Sequence, residues 1–180
     1  MDKGKTRTSK VSHALQKKKI KVDLIISSHA VRAIETSKIL ADGLQYPIEK
    51  IKIESTLYHS TGDGLYNLFF DLPEKYSSLM IVGHNPALTD FVNIFLHEKI
   101  ENLPTSGVVS IGFDTDKWEE IPISKRKVNF ALFPKSLTKK DWLNVQIKLN
   151  LLKGKINLPD SSFFNIKMTN ANEKERYIRQ

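Results

Sequence analysis

The chain has 180 residues, 40% of them hydrophobic, no cysteine and a formal net charge of +8. That composition suits one domain with appendages and excludes disulfides, thiolate nucleophiles and thiolate metal sites. No run approaches the roughly 20 apolar residues of a membrane span, and the basic, polar N-terminus has no signal-peptide core, so a cytoplasmic protein with no membrane partner is expected.

The charge is unevenly spread. Residues 1–22 carry eight Lys/Arg against one acid, residues 23–116 six against thirteen, and residues 117–180 fourteen against six. A solvated lysine-rich face accounts for Lys17, Lys18, Lys19 and Lys21, and the acidic middle argues against nucleic acid as a partner.

In chain order, residues 3–19 read as a polar helix with a thin apolar stripe at Val11, Ala14 and Leu15. Residues 22–28 form a buried strand that ends on a polar turn. Ala30, Ala33, Ser37, Leu40, Ala41 and Leu44 then recur at helical spacing, with Gly43 near the end. Residues 51–57 alternate as a short strand, and Leu65, Leu68, Phe69 and Leu72 make a helical stripe that stops at Pro73. A second buried strand, 79–82, runs into Gly83, His84, Asn85 and Pro86. Asn85 is placed to cap a helix that begins at Pro86 and buries Leu88, Phe91, Val92 and Phe95. Strands at 108–113 and 128–133 follow, joined through Trp118.

Alternating strands and helices predict a three-layer α/β/α domain over residues 1–136, with a mainly parallel sheet and an antiparallel edge from the last strand pair. From Leu137 the chain turns lysine-rich and reads as a basic C-terminal extension, 137–180. It alternates at Val145, Ile147, Leu149 and Leu151 and has a polar end from Thr169, with roughly the last ten residues expected to be disordered.

In open α/β sheets, ligands sit outside the carboxyl ends of the strands, so the two strand-to-turn segments bring Arg32 and His84 to one crevice. Singly, Arg32 reads as an ion pair with Glu35 and His84 as a hydrogen-bonded structural histidine. Together they suit a phosphoryl group: a guanidinium grips two oxygens and a protonated imidazole donates to a third. His13 reads as a surface residue, His29 as a solvent-facing residue at the start of a helix, and Ser27, Ser28 and Asn85 as supporting or capping groups.

Ser27, Ser28, His29, Ala30, Val31, Arg32, Ala33 and Thr36 resemble the S-P-x-x-R-A-x-x-T segment of the histidine phosphatase (phosphoglycerate mutase-like) superfamily. Val82, Gly83, His84, Asn85 and Pro86 resemble its second-histidine motif. Leu57, Tyr58 and His59, with Thr105, Ser106 and Gly107, are most similar to the small SixA-type phosphohistidine phosphatases. The resemblance covers residues 3–134 and implies hydrolysis of phosphorylated protein histidine, or of a small phosphate, through a phosphohistidine enzyme intermediate. It implies no metal and no cofactor. By position it makes Arg32 and His84 catalytic, and it places Arg32, His59, Asn85 and Thr105 against substrate.

Two departures accompany the resemblance. The family's R-H-G motif, which ends its first strand and supplies the nucleophilic histidine and a first arginine, has no counterpart in residues 1–180. The expected consequences are background turnover and a missing central strand with unpaired neighbours, a gap that the alternating stretch 145–151 suits. In place of the general acid of many members stand Thr56, Leu57, Tyr58 and His59, flanked by Glu54 and Asp63. The alternative expectation is a non-catalytic remnant that binds an anion, a phosphoprotein or, through its basic flanks, nucleic acid.

Overall fold

The computed structural model describes residues 2–135, 137 and 161–168. Six strands form one sheet: β1 (Leu24–Ser28), β2 (Lys52–Glu54), β3 (Ser78–His84), β4 (Val108–Phe113), β5 (Arg126–Leu132) and β6 (Ser161–Met168), in the order β2-β1-β3-β6-β4-β5. Four helices accompany them: α1 (Asp2–Lys17), α2 (Val31–Gly43), the single turn α3 (Asn67–Phe70) and α4 (Ala87–Phe95). β2, β1 and β3 are parallel, and β4 pairs antiparallel with β5.

The layers follow from the two central strands. β1 and β3 are buried along their whole lengths, as strands covered by helices on both faces require. Leu24, Ile26, Leu79 and Ile81 feed one core with Phe69, Phe91 and Phe113. Ile25, Met80 and Val82 feed the other, against Val11 and Leu15 of α1 and Ala33, Leu40 and Ala41 of α2. The expected three-layer α/β/α arrangement is therefore present. Where α1 and α2 meet, Ser12 Oγ donates to the Ile39 carbonyl at 2.9 Å, and a Cβ on Gly43 would run into the Ser12 hydroxyl. Only glycine allows that approach.

Several boundaries differ from the sequence expectation, for local reasons. The strand expected over 51–57 shortens to β2, because the Glu54 carboxylate accepts from Thr56 N at 3.3 Å and starts a 3-10 turn, Ser55–Tyr58. The stripe at 65–72 breaks into a 3-10 turn, Asp63–Tyr66, followed by α3, yet Leu65 and Phe69 are still buried. α4 starts at Ala87, one residue later than expected, and the Asn85 side chain does not cap it.

The largest difference lies in the middle of the sheet. A central strand was expected to be missing; the structure instead has β6, from the segment read as an extension, between β3 and β4. β6 runs antiparallel to β3, from Ser78↔Lys167 to His84↔Ser161, and parallel to β4, from Val108↔Phe163 to Phe113↔Met168. The edges of β3 and β4 are thereby hydrogen-bonded rather than open. The stretch 145–151 and the tail from 169 lie outside the described residues. No helix among the described residues is long and apolar enough to cross a membrane.

Candidate functional site

Parallel pairing of β1 with β3, in the register Ser27↔Val82, brings Ser28 and His84 out at the same end of the sheet. The chain leaves β1 through His29 and Ala30 straight into α2, which sets Arg32 in the first turn of that helix. Arg32 Nε donates to His84 Nδ1 at 3.2 Å. A guanidinium nitrogen can only donate, so Nδ1 carries a lone pair and the ring proton lies on Nε2. That nitrogen donates to Ser28 Oγ at 3.0 Å. Ser28 Oγ also accepts from Ala30 N at 3.4 Å. Glu35, the alternative partner for Arg32, bonds instead to Lys5 at 3.4 Å and Lys38 at 3.7 Å.

The electrostatics correct one expectation. His84 is 8% exposed, and burial first, then the positive charge of Arg32 and the neighbouring His29, push it down to about 4. In the ligand-free site it is a neutral imidazole near neutral pH, not the cationic donor that the sequence suggested. An anion that offsets Arg32 would return it towards its ordinary value.

A third element completes the site. β2 is parallel to β1 and pairs Glu54 with Ser28, so the turn after β2 lies at the same end. That turn buries Leu57 and leaves Tyr58 40% exposed. The Tyr58 ring meets His84 edge-on at 5.3 Å between centroids, His59 edge-on at 4.8 Å and His29 at a tilt at 5.0 Å. The Arg32 guanidinium carbon lies 6.0 Å from its centroid. His59 therefore joins the cluster through Tyr58. Sequence reasoning gave Tyr58 no role and His29 and Ser28 only minor ones. The available signal was three aromatic or imidazole side chains, His29, Tyr58 and His59, just after two adjacent parallel strands.

Asn85 and Thr105 sit differently. Asn85 Oδ1 accepts from Thr89 Oγ1 at 2.9 Å, and its Nδ2 donates to Asn102 Oδ1 at 2.7 Å and to the Leu103 carbonyl at 2.6 Å. Its amide thus ties the start of α4 to the loop before β4. Thr105 is buried in that loop, followed by Ser106 at φ 59°, whose hydroxyl lies 2.9 Å from Thr8 Oγ1.

Neither flanking carboxylate stands out as an acid. Glu54 is held below its ordinary value, first by the Thr56 hydroxyl, which donates to it at 2.9 Å. Asp63 is exposed at the head of its own 3-10 turn. Among the described residues no group of three or more His, Asp or Glu is gathered to hold a metal ion. A cleft of about 730 Å³ lined by Lys19, Asp23, Tyr46 and Lys50 lies at the opposite, N-terminal end of β1, away from this chemistry.

No family model matches the chain, and no curated protein matches it. Among solved structures it is similar to one from Agrobacterium tumefaciens, named there "putative phosphohistidine phosphatase SixA", with 22% identity and a TM-score of 0.51 over 59% of this chain and 72% of that one. At that identity the likeness speaks for the fold, and the mixed α/β fold that brings Arg32 and His84 together is SixA-like.

Proposed function

We propose that Arg32, His84 and Ser28 form a phosphoryl-binding site on a phosphohistidine phosphatase-like scaffold. The ligand class is a phosphorylated protein histidine or a small phosphate. The observation that carries this reading is the Arg32 Nε to His84 Nδ1 contact, made between residues that leave two adjacent parallel strands at the end where α/β sheets bind ligands. The exposed guanidinium supplies bidentate donors for an anion. Anion charge then favours protonation of His84, which adds a donor as the phosphoryl group is held.

Residues 1–180 bind such a group without turning it over. Ser28 Oγ bonds to His84, but as a nucleophile it would rely on a base depressed to about 4 and faced by a cation at its other nitrogen. An activated serine needs a stronger base, oriented by an acceptor.

Phosphate or vanadate titrated into the 180-residue chain, followed by calorimetry and the ring nitrogen signals of His84, tests the site. Binding centred on His84 and weakened roughly tenfold or more in Arg32→Ala is expected. Binding unchanged in that variant refutes the site. Hydrolysis of an aryl phosphate or a phosphohistidine peptide is expected at background. Turnover that His84→Ala abolishes would replace the binding reading with an enzyme reading.

A further inference from the structure

We infer that Tyr58, with His29 and His59 beside it, is a ring shelf that selects phosphoryl groups carried on a planar aromatic group. The inference rests on the reading of Arg32 and His84 as the phosphoryl site, and names what recognises the other half of the ligand. Three observations carry it.

Tyr58 is a large ring left 40% exposed while Leu57, just before it, is buried at 2%. The short 3-10 turn therefore holds the tyrosine outward rather than packing it into the core. Its ring neighbours are all at the site: His84 at 5.3 Å, His29 at 5.0 Å and His59 at 4.8 Å. Finally, the guanidinium of Arg32 lies 6.0 Å from the same centroid, so the group that grips phosphate and the ring that remains open are adjacent.

The chemistry of such a surface is specific. Aromatic rings prefer offset or edge-to-face partners, with a worth of about 0.5–1.5 kcal/mol beyond area burial. A saturated ring of the same size offers the same apolar area without the quadrupole. A phosphoryl group carried on an imidazole nitrogen or a phenol oxygen would lay that ring against Tyr58 while its oxygens reach Arg32. Cyclohexyl phosphate would fill the anion half and cover the same area without the ring-to-ring attraction, and inorganic phosphate would fill the anion half alone.

The experiment compares phenyl phosphate, cyclohexyl phosphate and inorganic phosphate by calorimetry at about pH 8, where the esters are dianions. Phenyl phosphate is expected to bind roughly 3- to 10-fold more tightly than cyclohexyl phosphate. Tyr58→Leu, which keeps apolar bulk, should erase that preference, and Tyr58→Phe should keep it. Because Tyr58 lies at the surface, unfolding is not expected to confound either variant, and a circular dichroism melt of each checks this. Equal affinity for the two esters in the native chain overturns the shelf, as does a preference that survives Tyr58→Leu. If inorganic phosphate binds through Arg32 and no ring preference exists, only the shelf is lost. If none of the three probes binds, the phosphoryl site falls and the shelf with it.

Discussion

Arg32 reaches across 52 residues of sequence to donate a hydrogen bond to Nδ1 of His84, and this contact sets the tautomer of the histidine and helps set its charge. A cation at Nδ1 forbids a proton there, so the ring presents Nε2–H to Ser28. Both ring nitrogens are thus engaged by the protein before any ligand arrives. Ligand binding must therefore rearrange a contact already made rather than fill an idle site.

Folding stability should fall on acidification more steeply than carboxylates alone would make it. His84 is neutral in both states above its ordinary value of 6.5, so it contributes no pH dependence there. Below 6.5 the unfolded chain takes up a proton that the folded chain refuses until about 4. At ~1.4 kcal/mol per unit, up to roughly 3 kcal/mol of stability is lost across that window. Urea unfolding at about pH 7.5 and about pH 4.5 should show a smaller acid loss in His84→Gln than in the native chain. Equal losses would mean that His84 titrates normally.

Sulfate should bind more tightly as the solution is acidified, by up to about tenfold per pH unit between the bound and free values of His84. An anion beside Arg32 raises the depressed value, so binding takes up a proton; by linkage, a lower pH then favours binding. Sulfate remains a dianion through this range, which assigns the change to the protein. Calorimetry in two buffers of different ionisation enthalpy measures the proton directly. Binding with no proton uptake near pH 5 would contradict the coupling.

Ser28→Ala and Arg32→Ala should separate the two sides of the ring. Removing the Ser28 hydroxyl strands a buried Nε2–H, at a cost of about 1–3 kcal/mol, but leaves the tautomer unchanged because Arg32 still holds Nδ1 as an acceptor. Removing Arg32 frees Nδ1 to carry the proton. Nitrogen-15 spectra of the His84 ring should therefore show Nε2–H alone in the native chain and in Ser28→Ala, with an Nδ1–H population only in Arg32→Ala. A changed tautomer in Ser28→Ala would reassign the control to the serine.

Proline at Asn165 should damage the whole fold although it lies far along the chain from the site. Asn165 pairs with Met80 of β3 and Ser110 of β4, so a proline there removes a ladder donor from an internal strand, at a cost of about 3 kcal/mol or more. Shortening the chain to residues 1–160 would leave two strand edges open and promote association. Thermal melts and light scattering report both effects. A melting temperature unmoved in Asn165→Pro would take β6 out of the sheet.

What could be read from the sequence was whatever is encoded locally. The apolar runs of β1 and β3, the buried faces of α2 and α4 and the two polar turns each follow from a period or a residue type within about ten neighbours, and the structure places Arg32 and His84 together as those turns implied. The end of β2 at Glu54, and the absence of an Asn85 cap on α4, follow from side-chain bonds, Glu54 accepting from Thr56 and Asn85 Oδ1 accepting from the Thr89 hydroxyl rather than from a backbone N–H.

The rest required the tertiary structure. Strand pairing is made through the backbone, which carries no residue code, so nothing in residues 161–168 announces β3 and β4 as neighbours. Tyr58 acquires a role only once β2 is laid beside β1. The charge of His84 is set by burial and by a cation brought from a distant helix. Local sequence placed Arg32, Ser28 and His84 at two polar strand ends; packing decided which nitrogen faces which partner and whether that nitrogen carries a proton, because both depend on distances and desolvation that exist only in the folded chain.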